Sequence, residues 1–157
     1  MSAQLTLTTN SAVKTKKIGR TLGKYLKAGD VVALEGPLGS GKTTMVKGIA
    51  KGLGVSSEKA VSSPTYVLIH EYKGRGKIYH LDWYRVKAVR GADAELAREC
   101  FTSGAVTLVE WPERGKKLLP PDALRVGMFH RGPKSRTLSF SFSKNSDPKL
   151  RMALKKS

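Results

Sequence analysis

Eight consecutive residues, Gly36-Pro37-Leu38-Gly39-Ser40-Gly41-Lys42-Thr43, satisfy the pattern G-x-x-x-x-G-K-[ST] in full. No other stretch restricts the fold of this chain so tightly, because the pattern works only between a buried strand and a helix. Both flanks are legible. Val31-Val32-Ala33-Leu34 is a short apolar run introduced by the turn signal Gly29-Asp30. Behind the octet, Met45, Val46, Ile49, Ala50 and Leu53 recur at helical spacing, and Gly52 and Gly54 punctuate the end. A chance match in a chain of this length is roughly a one-in-a-hundred event. The bland alternative, a Gly/Ser-rich turn that binds nothing, is disfavoured by these flanks.

The pattern has a mechanism. Glycines leave the backbone free to curl around a β-phosphate with its N–H groups pointing inward. Lys42 would reach the β- and γ-phosphates, and the Thr43 hydroxyl would ligate Mg²⁺. From Thr44 onward a helix would begin, its positive end facing the anion. Gly36, Leu38, Gly39, Ser40, Gly41, Lys42, Thr43 and Thr44 are the candidate nucleotide contacts.

Around the loop the chain alternates. A helix is expected over roughly residues 11 to 28, with Val13, Ile18, Leu22, Tyr25 and Leu26 facing a core, then a strand over 31 to 35 and the loop helix over 42 to 53. Extended segments follow at Tyr66 to Tyr72 and Lys77 to Asp82, split by the turn Lys73-Gly74-Arg75-Gly76. A helix near Ala92 to Phe101 precedes a strand at Ala105 to Trp111. Leu124 to His130 and Thr137 to Phe142 flank Arg131-Gly132-Pro133-Lys134, a hairpin signal. The expected architecture is therefore α/β: a three-layer P-loop NTPase domain over residues 1–142, with a mostly parallel central sheet and a C-terminal β-hairpin. Residues 143–157 read as a basic, loosely held tail.

A phosphate loop needs an acidic partner on a neighbouring strand to hold magnesium or orient its water. Two carboxylates close strand-like runs: Asp82 after Ile78-Tyr79-His80-Leu81, and Glu110 after Val106-Thr107-Leu108-Val109. Either would serve as ligand or as the group that orients the attacking water. Ser63-Pro64-Thr65 is a weaker candidate: either Thr65 senses a γ-phosphate, as switch segments do, or this is an ordinary turn before a strand. Trp111 either covers the nucleotide or packs in the core. Arg85 is a weaker candidate for neutralising transition-state charge. His70 and His80 stand singly and read as structural.

Composition adds bounds. With 29 basic and 12 acidic residues the chain carries a formal charge of +17. The segment from Trp111 to Ser157 is the densest, with 12 basic against 3 acidic side chains. Such a field attracts nucleic acid or an acidic protein surface, or is simply a solvated lysine-rich surface. The single Cys100 has no internal disulfide partner and no metal-ligand spacing around it, and reads as a small buried hydrophobe. With no apolar run of membrane length and no secretory h-region, a cytoplasmic, membrane-free protein is expected. No N-K-x-D base-reading motif occurs, which disfavours a GTPase.

The motifs GPLGSGKTT (Gly36 to Thr44), SPTYVLIHEY (Ser63 to Tyr72), HLDWYR (His80 to Arg85) and VEWPER (Val109 to Arg114) together resemble the TsaE family over roughly residues 8 to 125. The resemblance implies an ATP-binding, ATP-hydrolysing accessory protein of threonylcarbamoyladenosine synthesis in tRNA. Its partners would be TsaD and TsaB, with direct or indirect contact to tRNA. It implies ATP and Mg²⁺ as cofactors, Lys42 on the phosphates, and Thr43 with Glu110 on the metal. Asp82 would matter for hydrolysis, Thr65 would sit in a switch-like segment and Trp111 beside the site. Two positions depart from the family: Pro37 stands where an acidic residue is usual, and Trp83 where leucine is. A small-molecule P-loop kinase and a basic nucleic-acid-binding ATPase are the alternative readings.

Overall fold

The computed structural model describes residues 3–62 and 68–157. The elements run β1 Gln4–Thr9, α1 Ala12–Tyr25, β2 Val31–Glu35, α2 Lys42–Gly52, β3 Ile69–Lys73, β4 Lys77–Asp82, α3 Gly91–Thr102, β5 Val106–Glu110, β6 Leu124–His130, β7 Arg136–Ser141 and α4 Pro148–Lys155. The strands make one seven-stranded sheet of order β1-β7-β6-β2-β5-β4-β3. Its centre, β6-β2-β5-β4, is parallel throughout, and β7, β1 and β3 extend it on either side through antiparallel pairs.

Burial explains the order. β5 is buried at every position and β2 at all but its last, as strands covered on both faces must be. Successive side chains of β2 then enter different cores. Val32 and Leu34 join Ile18, Leu22, Met45, Ile49 and Leu154 under α1, α2 and α4. Val31 and Ala33 join Leu81, Trp83, Ala97 and Cys100 on the α3 side. The three-layer α/β expectation is met, with the parallel strands confined to the sheet's centre. β6 and β7 do form a hairpin, but it is built into the main sheet, with β6 hydrogen-bonded alongside β2.

Helices α1 and α2 approach unusually closely. A Cβ on Gly23 would stand 2.2 Å from the Ile49 carbonyl oxygen, and one on Gly52 2.2 Å from the Arg20 carbonyl oxygen. Gly48 and Gly19 are crowded too, a Cβ there standing 2.3 Å from the Lys16 and 2.7 Å from the Met45 carbonyl oxygen, respectively. Two glycines four residues apart on each helix thus form one face of contact, which seats the loop helix against the sheet.

Three expectations differ from the structure. The first helix stops at Tyr25, because Leu26 is extended (ψ 141°) and leads toward the turn at Gly29. Val13, expected in the core, is 78% exposed, whereas Ile18 and Leu22 are buried. Residues from Ser143 do not form a loose tail. Asp147 caps α4 by accepting from the Lys149 amide at 2.9 Å, and Leu150 and Leu154 are buried in the main core. The Asp-Pro start and the i, i+4 leucines were legible but masked by surrounding lysines. Strand β1 went unread, although Leu5 and Leu7 alternate with threonines.

Candidate functional site

Register brings the chemistry together. Asp82 lies opposite Glu110 in the β4–β5 pair, and Leu34 lies opposite Glu110 in the β2–β5 pair. Both carboxylates therefore stand at the carboxyl edge of the sheet, level with the departure of the loop from β2. Gly36 has a positive φ of 149°, and a Cβ there would meet the Met128 carbonyl oxygen at 2.2 Å, so only glycine fits against β6. Gly41, at φ 101°, is the left-handed N-cap of α2.

The start of α2 is a ready anion site. Met45 is the first residue whose amide bonds back into the helix, to Gly41 O at 2.9 Å. The amides of Lys42, Thr43 and Thr44 have no intrahelical carbonyl to reach. No acidic residue occupies the first turn, so the positive end of the helix is not offset from within it. The Lys42 ammonium lies folded along the loop, donating to Gly36 O at 2.6 Å and to Pro37 O at 2.9 Å. Burial pushes it below the usual lysine range, against the opposing pull of Glu110, Glu113 and Asp82. Pro37 costs the loop nothing here: its carbonyl receives the Ser40 amide at 3.1 Å as well as Lys42.

Glu110 is the hub of a buried chain of hydrogen bonds. Thr43 Oγ1 donates to its Oε1 at 3.3 Å, and His80 Nε2 lies 2.6 Å from its Oε2. The other ring nitrogen of His80, Nδ1, lies 2.9 Å from the oxygen of the Tyr72 hydroxyl, whose proton is donated to Ser62 O at 3.2 Å. A carboxylate accepts and does not donate, so the proton in the 2.6 Å contact is carried on Nε2. His80 is fully buried and Glu110 only 3% exposed, so the two hold each other's orientation.

Burial raises the Tyr72 phenol from 10.0 to about 12, helped by the nearby Glu110 charge. A folded-state value above the unfolded one means stability present in full below pH 10 and lost as pH rises toward 12. The stability difference between wild type and Tyr72→Phe, measured by urea unfolding, should therefore shrink by about 1–2 kcal/mol between pH 9 and pH 11.5. A pH-independent difference would show that Tyr72 titrates alike in both states.

Asp82 is 7% exposed, and its Oδ1 accepts from the Tyr84 amide at 2.9 Å, shaping the turn after β4. Trp111 stands at φ 59°, ψ 49°, the one non-glycine residue with positive φ among the described residues. That conformation costs roughly 1 kcal/mol and is held here by contacts on both sides. Lys42 Nζ lies 4.5 Å from the centre of its ring, and the Tyr84 ring lies 5.0 Å away. These groups line a cleft of about 480 Å³ that also takes in Leu38, Gly39, Gly41, Thr43, Thr44 and Arg85.

The structure thus brings together Lys42, Thr43, Thr44, Asp82, Glu110 and Trp111 from the expected set. Ser40 is fully buried beneath the loop, its Oγ 3.4 Å from Lys42 Nζ. Thr65 lies outside the described residues. Trp111 packs against the α3-side core and also lines the cleft. His80, expected to be structural and not catalytic, is fully buried and contacts Glu110 directly. Tyr72 and Tyr84 were missed; Tyr84 had a signal, two residues after a strand-closing aspartate. Trp83 fills the α3-side core against Gly115, where a Cβ would come within 2.7 Å of its ring.

A parallel core, a glycine loop leaving the carboxyl end of β2 and a helix that begins at its lysine define the P-loop NTPase fold. The sequence profile of the family described as "Threonylcarbamoyl adenosine biosynthesis protein TsaE" matches residues 9–138. The tRNA threonylcarbamoyladenosine biosynthesis protein TsaE of Bacillus subtilis is 38% identical over 139 residues, covering 88% of this chain and 85% of that one. Its counterpart in Treponema pallidum is 38% identical over 118 residues, 75% of this chain and 86% of that one. The crystal structure of Bacillus subtilis YdiB superposes with a TM-score of 0.78 at 33% identity, over 99% of this chain and 97% of that one. This chain belongs to the TsaE family, proteins of threonylcarbamoyladenosine biosynthesis in tRNA. No helix among the described residues is long and apolar enough to cross a membrane.

Proposed function

We propose that this protein is a magnesium-dependent ATPase that serves tRNA threonylcarbamoyladenosine synthesis by acting on a TsaB–TsaD pair in the cytoplasm. The observation that carries the reading is the 3.3 Å contact between Thr43 Oγ1 and Glu110 Oε1, directly at the unsatisfied amide end of α2. A hydroxyl and a carboxylate are hard oxygen donors of the kind magnesium takes, with the remaining positions left to phosphate oxygens and water. Among the described residues no cluster of three or more His, Cys, Asp or Glu side chains competes as a metal site. Thr43 and Glu110 would hold the ion, which when bound neutralises charge on the β- and γ-phosphates.

The remaining roles follow from position. The amides of Lys42, Thr43 and Thr44 bind phosphate, and Lys42 exchanges its loop carbonyls for phosphate oxygens. Gly36, Leu38, Gly39, Ser40 and Gly41 shape the cradle. Asp82, buried one strand away from Glu110, orients the attacking water. Trp111 and Tyr84 present an aromatic wall to the nucleotide. A γ-phosphate-sensing role for Thr65 rests on the sequence resemblance alone. The link to TsaB and TsaD rests on family membership.

Steady-state ATP hydrolysis with and without the pair tests the reading. The protein alone should turn over slowly, the pair should accelerate it, and chelating magnesium should stop it. Lys42→Ala should lower the rate by about 100-fold or more. A Lys42→Ala protein at the wild-type rate, or a pair without effect, would refute the corresponding half of the proposal.

A further inference from the structure

The excess positive charge is not spread evenly. Helices α1, α2 and α4 pack on one side of the sheet, and none of them contains an aspartate or glutamate. On the opposite side, α3 carries Asp93, Glu95 and Glu99 against Arg98. Along α1, Lys17, Arg20 and Lys24 follow at i, i+3 and i+7 and form one exposed stripe, opposite buried Ile18 and Leu22. On α4, Arg151, Lys155 and Lys156 are exposed while Leu150 and Leu154 point inward. The two helices are joined where Thr21 Oγ1 meets Ser157 Oγ at 2.8 Å, so the two sets of cations share one surface. None of the six makes an ion pair with a described residue.

We propose that this α1–α4 surface is an RNA-binding face that takes the phosphodiester backbone of a folded RNA. Unpaired lysines and arginines lose little by meeting phosphates, because condensed counterions are released when they do. The chemistry of the face favours RNA over an acidic protein. Protein interfaces are depleted in lysine and anchored by buried aromatic side chains. Here the exposed large apolar side chains on these helices are only Val13 and Met152. The contact is to backbone, since no exposed aromatic side chain on α1 or α4 is available to read bases. The proposal stands apart from the nucleotide reading, as the face and the cleft share no residue.

The test is a fluorescence titration of an unmodified tRNA transcript across a salt series. Wild type should bind with a steep salt dependence. The quadruple variant Lys17→Ala, Arg20→Ala, Arg151→Ala, Lys155→Ala should bind about 30-fold more weakly at ~0.15 M salt, with the log–log slope reduced by about 3. Alanine suits these exposed helical sites, so its melting temperature and its ATP hydrolysis should stay at wild-type values. A charge-matched control, Lys87→Ala, Arg98→Ala, Lys116→Ala, Lys117→Ala on the other side, should keep wild-type affinity. Lys42→Ala should also keep it, which separates failure of the ATPase reading from failure of this one. The proposal falls if the quadruple variant binds like wild type, or if the control weakens binding equally. It also falls if tRNA binds neither protein while the quadruple variant loses retention on the TsaB–TsaD pair, since the face would then be a protein interface.

Discussion

Replacing Glu110 by glutamine is expected to abolish magnesium-dependent hydrolysis, by about 100-fold or more in kcat, with little change in the melting temperature. The substitution keeps the shape of the side chain and removes its charge. In the folded protein both carboxylate oxygens are committed, Oε1 to Thr43 at 3.3 Å and Oε2 to His80 at 2.6 Å. A glutamine still accepts through one oxygen, so one of these contacts survives and the buried chain to Tyr72 and Ser62 is largely kept. What disappears is the only feature that makes the pair with Thr43 attractive to a divalent cation. Raising the magnesium concentration should recover little, because charge is lost and not merely affinity. Kinetics at several magnesium concentrations, beside a melting curve, check this. Wild-type turnover by Glu110→Gln would shift the assignment to Asp82, its neighbour across the β4–β5 register.

Gly23→Val should destabilise the protein by at least about 3 kcal/mol, lowering Tm by roughly 10 °C in a chain of this size. The new Cβ would be 2.2 Å from the Ile49 carbonyl oxygen and 3.0 Å from the Gly52 Cα. These are backbone atoms, so no rotamer change relieves the clash and α1 must move off α2. Because α2 begins at Lys42, that movement also displaces the glycine loop, and the proposed hydrolysis should fall with stability. Gly132→Val in the β6–β7 turn is the comparison. Nothing lies within 4 Å of a Cβ there, and its effect should stay within about 0.5 kcal/mol. Thermal denaturation of both variants decides the matter; equal melting temperatures would mean that α1 and α2 are not locked together by these glycines.

Much of the fold was readable because its strongest elements carry strong periods. The continuous apolar runs of β2 and β5 and the helical spacing after Lys42 identified a parallel α/β core and the edge where its site would lie. Weak or masked patterns were missed. Strand β1 is mostly polar, and it pairs along the edge that β7 offers. Helix α4 is sparse in apolar residues, and Leu150 and Leu154 become core only when α1 lies beside them. At the site, Asp82 and Glu110 stood out because acids at the ends of apolar strands are conspicuous. His80 gave no such signal, since one histidine in a strand looks the same whether or not a carboxylate waits on the neighbouring strand.

The octet from Gly36 to Thr43 determined, by itself, that this chain holds a phosphate cradle between a strand and a helix, since the required backbone and side-chain donors all lie within eight residues. Local sequence suffices for that because the loop binds through its own amides. Only the tertiary structure decided which acid faces Thr43, that His80 braces it, and that the cations of α1 and α4 fall on one surface. Those relations depend on strand register and helix packing, and residues far apart in the chain acquire them only when the sheet is assembled.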